Sequence, residues 1–449
     1  MSARGEFSSR LGFIMAAAGS AVGLGNIWGF PTQVASNGGA AFVLVYLLLT
    51  LILAYPVLMA ELTIGRYAQS NMIDAMQNIS NTTTSKKVGK ALGWWGLGVV
   101  SLILSFYSII AGWMIANFLQ ALCLIFGWSE FAYWLVTFSL ERNIIFCILF
   151  SLLTIKIVSN GVSDGIEKWS SRLMPVLLLL IVSMIIYVAT LDGASQGWHV
   201  YLVPDFSKIL QPSLLVSAMG QAFFSLSLGV GSMLIYGSYI NKKENLVSLG
   251  LSVALVDSGI AILAGMLIIP AMYVALHNGV TIFDESGMLI NGDQLIFIVI
   301  PELFRSMGQV GNFISAAFFL LMTIAALTSS ISMLEVPVAY AVENNEGSRI
   351  KKTMVIGLSI LCISIAVLFF FESLFGFIVT ITTQYSQPLI SLVMCIYVGW
   401  IWHRNKLLTE LKQGNKSIES SVFWKIWPYY VKFICPIIIT LMFLQSIRS

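Results

Sequence analysis

The chain has 449 residues, 58% of them hydrophobic and 10% charged, with a mean hydropathy of +0.88. Soluble domains are about a quarter charged, so a water-soluble enzyme is excluded and the natural solvent is lipid. The 24 basic and 21 acidic residues leave a net charge of +3, which indicates no nucleic-acid partner.

Apolar runs follow one another at 11–34, 40–64, 91–126, 131–157, 166–190, 213–240, 246–276, 309–342, 351–371, 374–402 and 424–446. With about 20 residues per crossing, they predict an all-α polytopic membrane protein of about 11 transmembrane helices forming one domain, 1–449. The start of the chain loosely imitates a secretory leader. Its apolar core, Leu11–Ala18, is at the short limit and runs through glycines into more apolar sequence, not a polar mature start.

Nineteen Lys and Arg residues fall in alternate segments on the N-terminal side, four (Arg142, Lys208, Arg305 and Arg448) on the other, and Lys432 inside the last span. Basic loops stay inside, so the expected N-terminus is cytoplasmic and the expected C-terminus extracellular, in a multi-pass protein of a cell membrane. All five cysteines lie within apolar runs, with no disulfide or zinc spacing. The spans carry no Ser/His, paired-carboxylate or HExxH constellation, so an intramembrane enzyme is a poor reading.

Spans one and six are unusual. GSAVGLGNIWGFP (Gly19–Pro31) and SLSLGVGSM (Ser225–Met233) place glycines at mid-span, where leucines are expected. Each glycine lowers helix stability by about 1 kcal/mol relative to alanine. Close packing of neighbouring helices is one explanation. Matched breaks favour another: span one opens spans one to five and span six opens spans six to ten. Five is odd, so the second half enters the membrane reversed. The expected organisation is a five-plus-five inverted repeat, 11–190 and 213–402, with helices 1 and 6 unwound at mid-membrane and span 424–446 added.

The segments RLGFIMAAAGSAVGLGNIWGFP (Arg10–Pro31), NGGAAFVLVY (Asn37–Tyr46), PVLMAELTIGRY (Pro56–Tyr67), GQAFFSLSLGVG (Gly220–Gly231) and ALTSSIS (Ala326–Ser332) resemble the neurotransmitter:sodium symporter family. The resemblance covers nearly the whole chain and fits the short bacterial amino-acid branch. It implies symport of a hydrophobic L-amino acid with two sodium ions by alternating access, with membrane lipid as surroundings and no obligatory protein partner. A sodium-dependent amino-acid receptor without net transport is the alternative, although no signalling domain is encoded.

The resemblance also implies the site. One sodium (Na1) would take the Ala21 carbonyl, Asn26, Ser225, Asp257 and a substrate carboxylate oxygen. The other (Na2) would take the carbonyls of Gly19, Val22 and Ala325 with the hydroxyls of Thr328 and Ser329. For those hydroxyls, bonding back to their own helix is the alternative. The substrate carboxylate would meet the N–H groups of Leu24 and Gly25 and the hydroxyl of Tyr107. The ammonium would meet carbonyls around Ala21, Phe224, Ser225 and Ser227.

Gly23 stands where monoamine carriers of the family have an aspartate, so the ligand must bring its own carboxylate. Ile103, Phe224, Val230, Ser329 and Met333 would line the side-chain pocket. Asp257 stands where asparagine is usual in the family and supplies a fixed negative charge. Chloride-dependent members use an anion there, near positions matching Tyr46, Gln221 and Ser225, so no chloride requirement is expected. A buried aspartate satisfied by hydroxyls, without an ion role, is the alternative.

An inner gate would pair Arg4 with Glu343, supported by Ser238 and Tyr239. The family's outer ion pair is missing, since Gly29 and Ile378 occupy its positions. Packing of Trp28, Tyr107 and Phe224 is expected to close that side. Glu61 and Arg66 are expected to hold the inner loops. Gly165 and Pro175 in span five mark either local unwinding or a simple kink.

Overall fold

The computed structural model describes residues 5–209, 211–283 and 295–448. Among the described residues, eight helices are long and apolar enough to cross a membrane unaided: Ala40–Ala68, Thr83–Ile125, Leu140–Ser159, Val162–Ala189, Leu246–His277, Gly308–Asn344, Arg349–Phe369 and Val422–Gln445. Two more qualify as bent pairs. Span one joins Arg10–Ala21 to Gly25–Ser36 at 55°, and span ten, Phe371–Ile401, turns by 102° into the inner loop helix Arg404–Lys412. Span six consists of Pro212–Ser225 and Ser232–Gly237 on either side of a six-residue break.

The breaks fall where the glycines predict them. After Ala21, Val22 takes an extended conformation (φ −72°, ψ 104°), and the helix resumes through a π-turn at Gly25–Gly29. In span six, Ser227, Gly229 and Gly231 have φ values of 51°, 75° and 86°. A left-handed residue is strained unless it is glycine, which accounts for GVG at Gly229–Gly231.

Backbone freed from a helix inside lipid needs a replacement partner. Here the Gly229 N–H donates to Glu61 Oε1 at 2.7 Å, and the Leu228 carbonyl accepts from Gln387 Nε2 at 3.4 Å. Glu61 therefore does not hold the inner loops as expected. It is fully buried and supports the break in span six.

Arg66 does hold the inner loops. Its guanidinium, wholly buried, meets Glu410 Oε1 at 2.7 Å, the Glu410 carbonyl at 2.7 Å and the Glu244 carbonyl at 2.8 Å. Span one lies at the centre, with Ala16, Ala17 and Ala18 fully buried. Their small side chains allow spans five, seven and eight to approach it closely. The long third span packs along the eighth and carries Ile103 and Tyr107 to the level of the span-one break.

Candidate functional site

Around the break in span one, the structure brings together most residues expected for ions and substrate. Asn26 Nδ2 donates to Asp257 Oδ1 (2.7 Å) and the Asp257 carbonyl (3.1 Å), and lies 2.9 Å from Ser225 Oγ. Ser225 Oγ in turn donates to Asp257 Oδ2 at 2.7 Å, and Tyr46 Oη donates to Ser225 at 3.2 Å. All four are fully buried. Spans one, two, six and seven thus converge on one carboxylate whose oxygens both accept hydrogen bonds. Gln221 points elsewhere, its Nε2 donating to the Gly25 carbonyl at 2.8 Å.

On the opposite side of span one, Ser329 Oγ lies 3.1 Å from the Val22 carbonyl and 3.3 Å from that of Gly19. Thr328 bonds back to its own helix at Ile324 (3.1 Å) and Ala325 (3.0 Å). The two hydroxyls therefore divide: Ser329 reaches the unwound backbone, and Thr328 takes the local alternative. Thr328 still adjoins Gly19, since a Cβ there would lie 3.1 Å from Thr328 Cβ.

Between these clusters, Leu24 N–H donates to Tyr107 Oη at 3.1 Å. Tyr107 is the acceptor in this bond, and its hydroxyl also adjoins Ser329. A Cβ on Gly23 would stand 2.5 Å from Ser329 Oγ and 2.7 Å from Tyr107 Oη, and one on Gly25 would stand 3.0 Å from the Phe224 ring. Ser227 Oγ donates to the Ser20 carbonyl at 3.2 Å. Val230, Met333 and Ile103 are buried near these groups along spans six, eight and three. Backbone carbonyls, hydroxyls and a carboxylate are oxygen donors suited to a hard cation. Among the described residues, no cluster of three or more His, Cys, Asp or Glu could hold a metal ion.

The side expected to be outer carries a cavity of about 380 Å³ whose lining includes Gly29, Gln33, Gln221, Phe224, Gln384 and Gln387, with no charged residue among the described residues that line it. Trp28 stacks edge-on against Phe297 (5.9 Å), and Phe297 continues to Trp113 (5.7 Å) and on to Phe371 (5.9 Å). Ile378 is buried in span ten.

On the side expected to be inner, Arg4 lies outside the described residues. Glu343 accepts from Asn71 N and Nδ2, both at 2.8 Å. Phe7 is wedged among Phe13, Tyr236 and Tyr239 and donates its N–H to the Tyr239 carbonyl at 3.2 Å. The Ser238 hydroxyl bonds to the Ile235 carbonyl in its own helix turn.

A second inner cluster was not anticipated. Tyr239 Oη donates to Glu335 at 2.6 Å, and Glu335 pairs with Arg349, which also reaches the Val158 carbonyl at 3.1 Å. The signal was available, since Glu335 is an acid within the eighth apolar run. Span five stays helical through Gly165 and Pro175, its first turn being a π-turn at Val162–Glu167.

A membrane bundle whose first and sixth helices are interrupted at facing positions, with oxygen donors around both breaks, is the architecture of secondary transporters and not of enzymes. The model of the sodium:neurotransmitter symporter family matches residues 4–139 and 135–449. The chain is 33% identical to the uncharacterized sodium-dependent transporter YhdH of Bacillus subtilis, over 98% of this chain and 97% of that one. An uncharacterized sodium-dependent transporter of Haemophilus influenzae is 32% identical, over 99% and 98%. Among solved structures, the crystal structure of MhsT in complex with L-phenylalanine superposes with a TM-score of 0.83 at 35% identity, covering 99% of this chain and all of that one. The chain belongs to the sodium:neurotransmitter symporter family and is a multi-pass, sodium-dependent membrane transporter.

Proposed function

We propose that this protein takes up hydrophobic L-amino acids, aliphatic and aromatic, together with two sodium ions and without chloride. The observation that carries the reading is the uncharged break at Val22–Gly25, flanked by Ser329 on one side and the Asn26–Ser225–Asp257 cluster on the other. No side chain at Gly23 supplies a carboxylate, so the ligand must. The MhsT structure, whose ligand is L-phenylalanine, supports an apolar amino acid.

In this reading the Na1 ion sits at Ala21, Asn26, Ser225 and Asp257, sharing a substrate oxygen. Each species then removes part of the other's desolvation cost, which couples their binding. The Na2 ion sits among Gly19, Val22, Ala325, Thr328 and Ser329, with Thr328 giving up its local bonds. Leu24, Gly25 and Tyr107 hold the carboxylate, and Ile103, Phe224, Val230 and Met333 surround the side chain. Glu343, Ser238 and Tyr239, with Arg4, close the inner side. The repeats run 11–190 and 213–402, and the N-terminus is cytoplasmic in a bacterial cell membrane.

Reconstituted vesicles test the whole reading. An inward sodium gradient is expected to drive accumulation of labelled phenylalanine or leucine, and replacement of chloride by gluconate to leave it unchanged. Binding without accumulation would identify a receptor instead. Ser329→Ala is expected to raise half-saturating sodium by about tenfold, the scale of one charge-assisted contact, while Thr353→Ala, remote from the site, leaves it unchanged.

A further inference from the structure

Where span ten ends beside span eleven, two cations sit in an otherwise apolar surface. Span ten finishes in a π-turn, Tyr397–Ile401, before bending into Arg404–Lys412, and span eleven contains another, Tyr430–Ile434. The two wide turns pack on each other. Gly399 permits this contact, since a Cβ there would lie 2.6 Å from Lys432 Cα.

Lys432 lies well inside the last apolar span. Its Nζ stands over the Trp400 ring at 4.3 Å and the Phe433 ring at 5.5 Å, and Trp400 Nε1 donates to the Lys432 carbonyl at 2.9 Å. Arg404 lies over the rings of Tyr429 (5.0 Å) and Trp424 (5.4 Å), with its Nη1 donating to Tyr429 Oη at 2.9 Å. Tyr429 and Lys432 are about one turn apart on span eleven, so the two cations share one patch. The rings orient both charges without neutralising them. The acids of the adjoining loop are engaged elsewhere, Glu410 with Arg66 and Glu419 with Lys412. Among the described residues, neither Arg404 nor Lys432 has an acidic partner. A cation at membrane depth without a counter-ion is costly.

The anion that fits this patch carries hydrocarbon. Trp400, Tyr429 and Phe433 are exposed, and beyond Phe433 the same face continues as Ile437, Leu441 and Leu444, all exposed. Steps of four, four and three residues make them one stripe along span eleven. A free phosphate would leave the stripe bare. A phospholipid covers it with an acyl chain while its phosphate meets the cations.

We propose that this corner binds an anionic phospholipid, its phosphate between Arg404 and Lys432 and one acyl chain along Phe433, Ile437, Leu441 and Leu444. Basic pockets between membrane helices recognise such headgroups. The long lysine stem carries the ammonium from inside the span to headgroup level. Because Arg66 ties the corner helix to span two through Glu410, the lipid braces the last two spans against the rest of the bundle.

Native mass spectrometry of the full-length protein in mild detergent, titrated with phosphatidylglycerol or with phosphatidylcholine of the same chains, tests this. Wild type is expected to bind phosphatidylglycerol about tenfold more tightly, from two cations acting on one headgroup. Arg404→Gln combined with Lys432→Met is expected to remove that preference, and Lys432→Arg to keep it. Lys351→Gln, which removes a basic charge at the start of span nine, is expected to change nothing. Should the double variant fold poorly, Lys432→Gln alone is expected to lower the preference about threefold. Inorganic phosphate at millimolar concentration is expected not to displace the lipid.

Equal binding of the two lipids by wild type overturns the proposal. So does an intact preference in the double variant, which would put the lipid elsewhere. Displacement by inorganic phosphate would make this a site for the free anion and contradict a lipid occupant.

Discussion

Asp257→Asn is expected to weaken sodium binding by about 30-fold or more and to make transport respond to chloride. The aspartate is the one charge in a cluster of neutral groups: Asn26 and Ser225 bond its two oxygens, and Tyr46 bonds Ser225. A unit charge about 4 Å from a sodium ion at an effective dielectric of about 20 contributes about 4 kcal/mol. Half of that gives the 30-fold figure. Asparagine keeps an oxygen for the ion but not the charge. The hydroxyls of Ser225 and Tyr46, now without an anionic acceptor, can turn toward a chloride ion. Sodium titrations of uptake in chloride and in gluconate check both parts. Unchanged sodium affinity with no chloride response would leave Asp257 as a buried acid satisfied by its neighbours and uninvolved with ions.

Gly23→Ala is expected to abolish uptake while the protein still inserts and elutes as a monodisperse species. The added Cβ would lie 2.5 Å from Ser329 Oγ and 2.7 Å from Tyr107 Oη. Both atoms are already engaged, Ser329 with Val22 and Gly19 and Tyr107 with Leu24. Overpacking of this kind costs about 1–3 kcal/mol. Here the displaced atoms are those assigned to Na2 and to the substrate carboxylate, so one methyl impairs both ligands. Substrate binding by scintillation proximity at saturating sodium, with size-exclusion chromatography as the folding control, measures this. Wild-type binding would show that Gly23 does not adjoin the substrate.

The breaks in spans one and six were legible because glycine has a local physical meaning. A Gly pair in an apolar run lowers helix stability wherever the run lies, and GVG at Gly229–Gly231 coincides with left-handed backbone. Boundaries were less legible because hydropathy does not register caps. Thr82 and Ser85 form a capping box that begins span three at Thr83, among polar residues excluded from the predicted run 91–126. Ser139 caps span four, so the predicted run 131–157 divides into Ser129–Val136 and Leu140–Ser159.

Pairings distant in sequence were hardest to anticipate. Proximity along the chain sets Glu61 beside Arg66, yet its partner Gly229 is 168 residues away. The Tyr239–Glu335–Arg349 cluster joins spans six, eight and nine, and no spacing in the sequence indicates it. On the outer side, the lack of an ion pair at Gly29 was readable. The replacement by Trp28, Phe297, Trp113 and Phe371 depends on how loops and spans meet in space.

The central claim is that backbone released at two helix breaks holds cations and a zwitterion in the middle of the membrane. An experimental structure with sodium and phenylalanine bound tests it most directly. The account predicts one ion in direct contact with the Gly19 and Val22 carbonyls and Ser329, a second touching Asp257 and the ligand carboxylate, and that carboxylate against Leu24 and Gly25. Ligand and ions located elsewhere, with both segments wound continuously through Gly23 and Gly229, would contradict it.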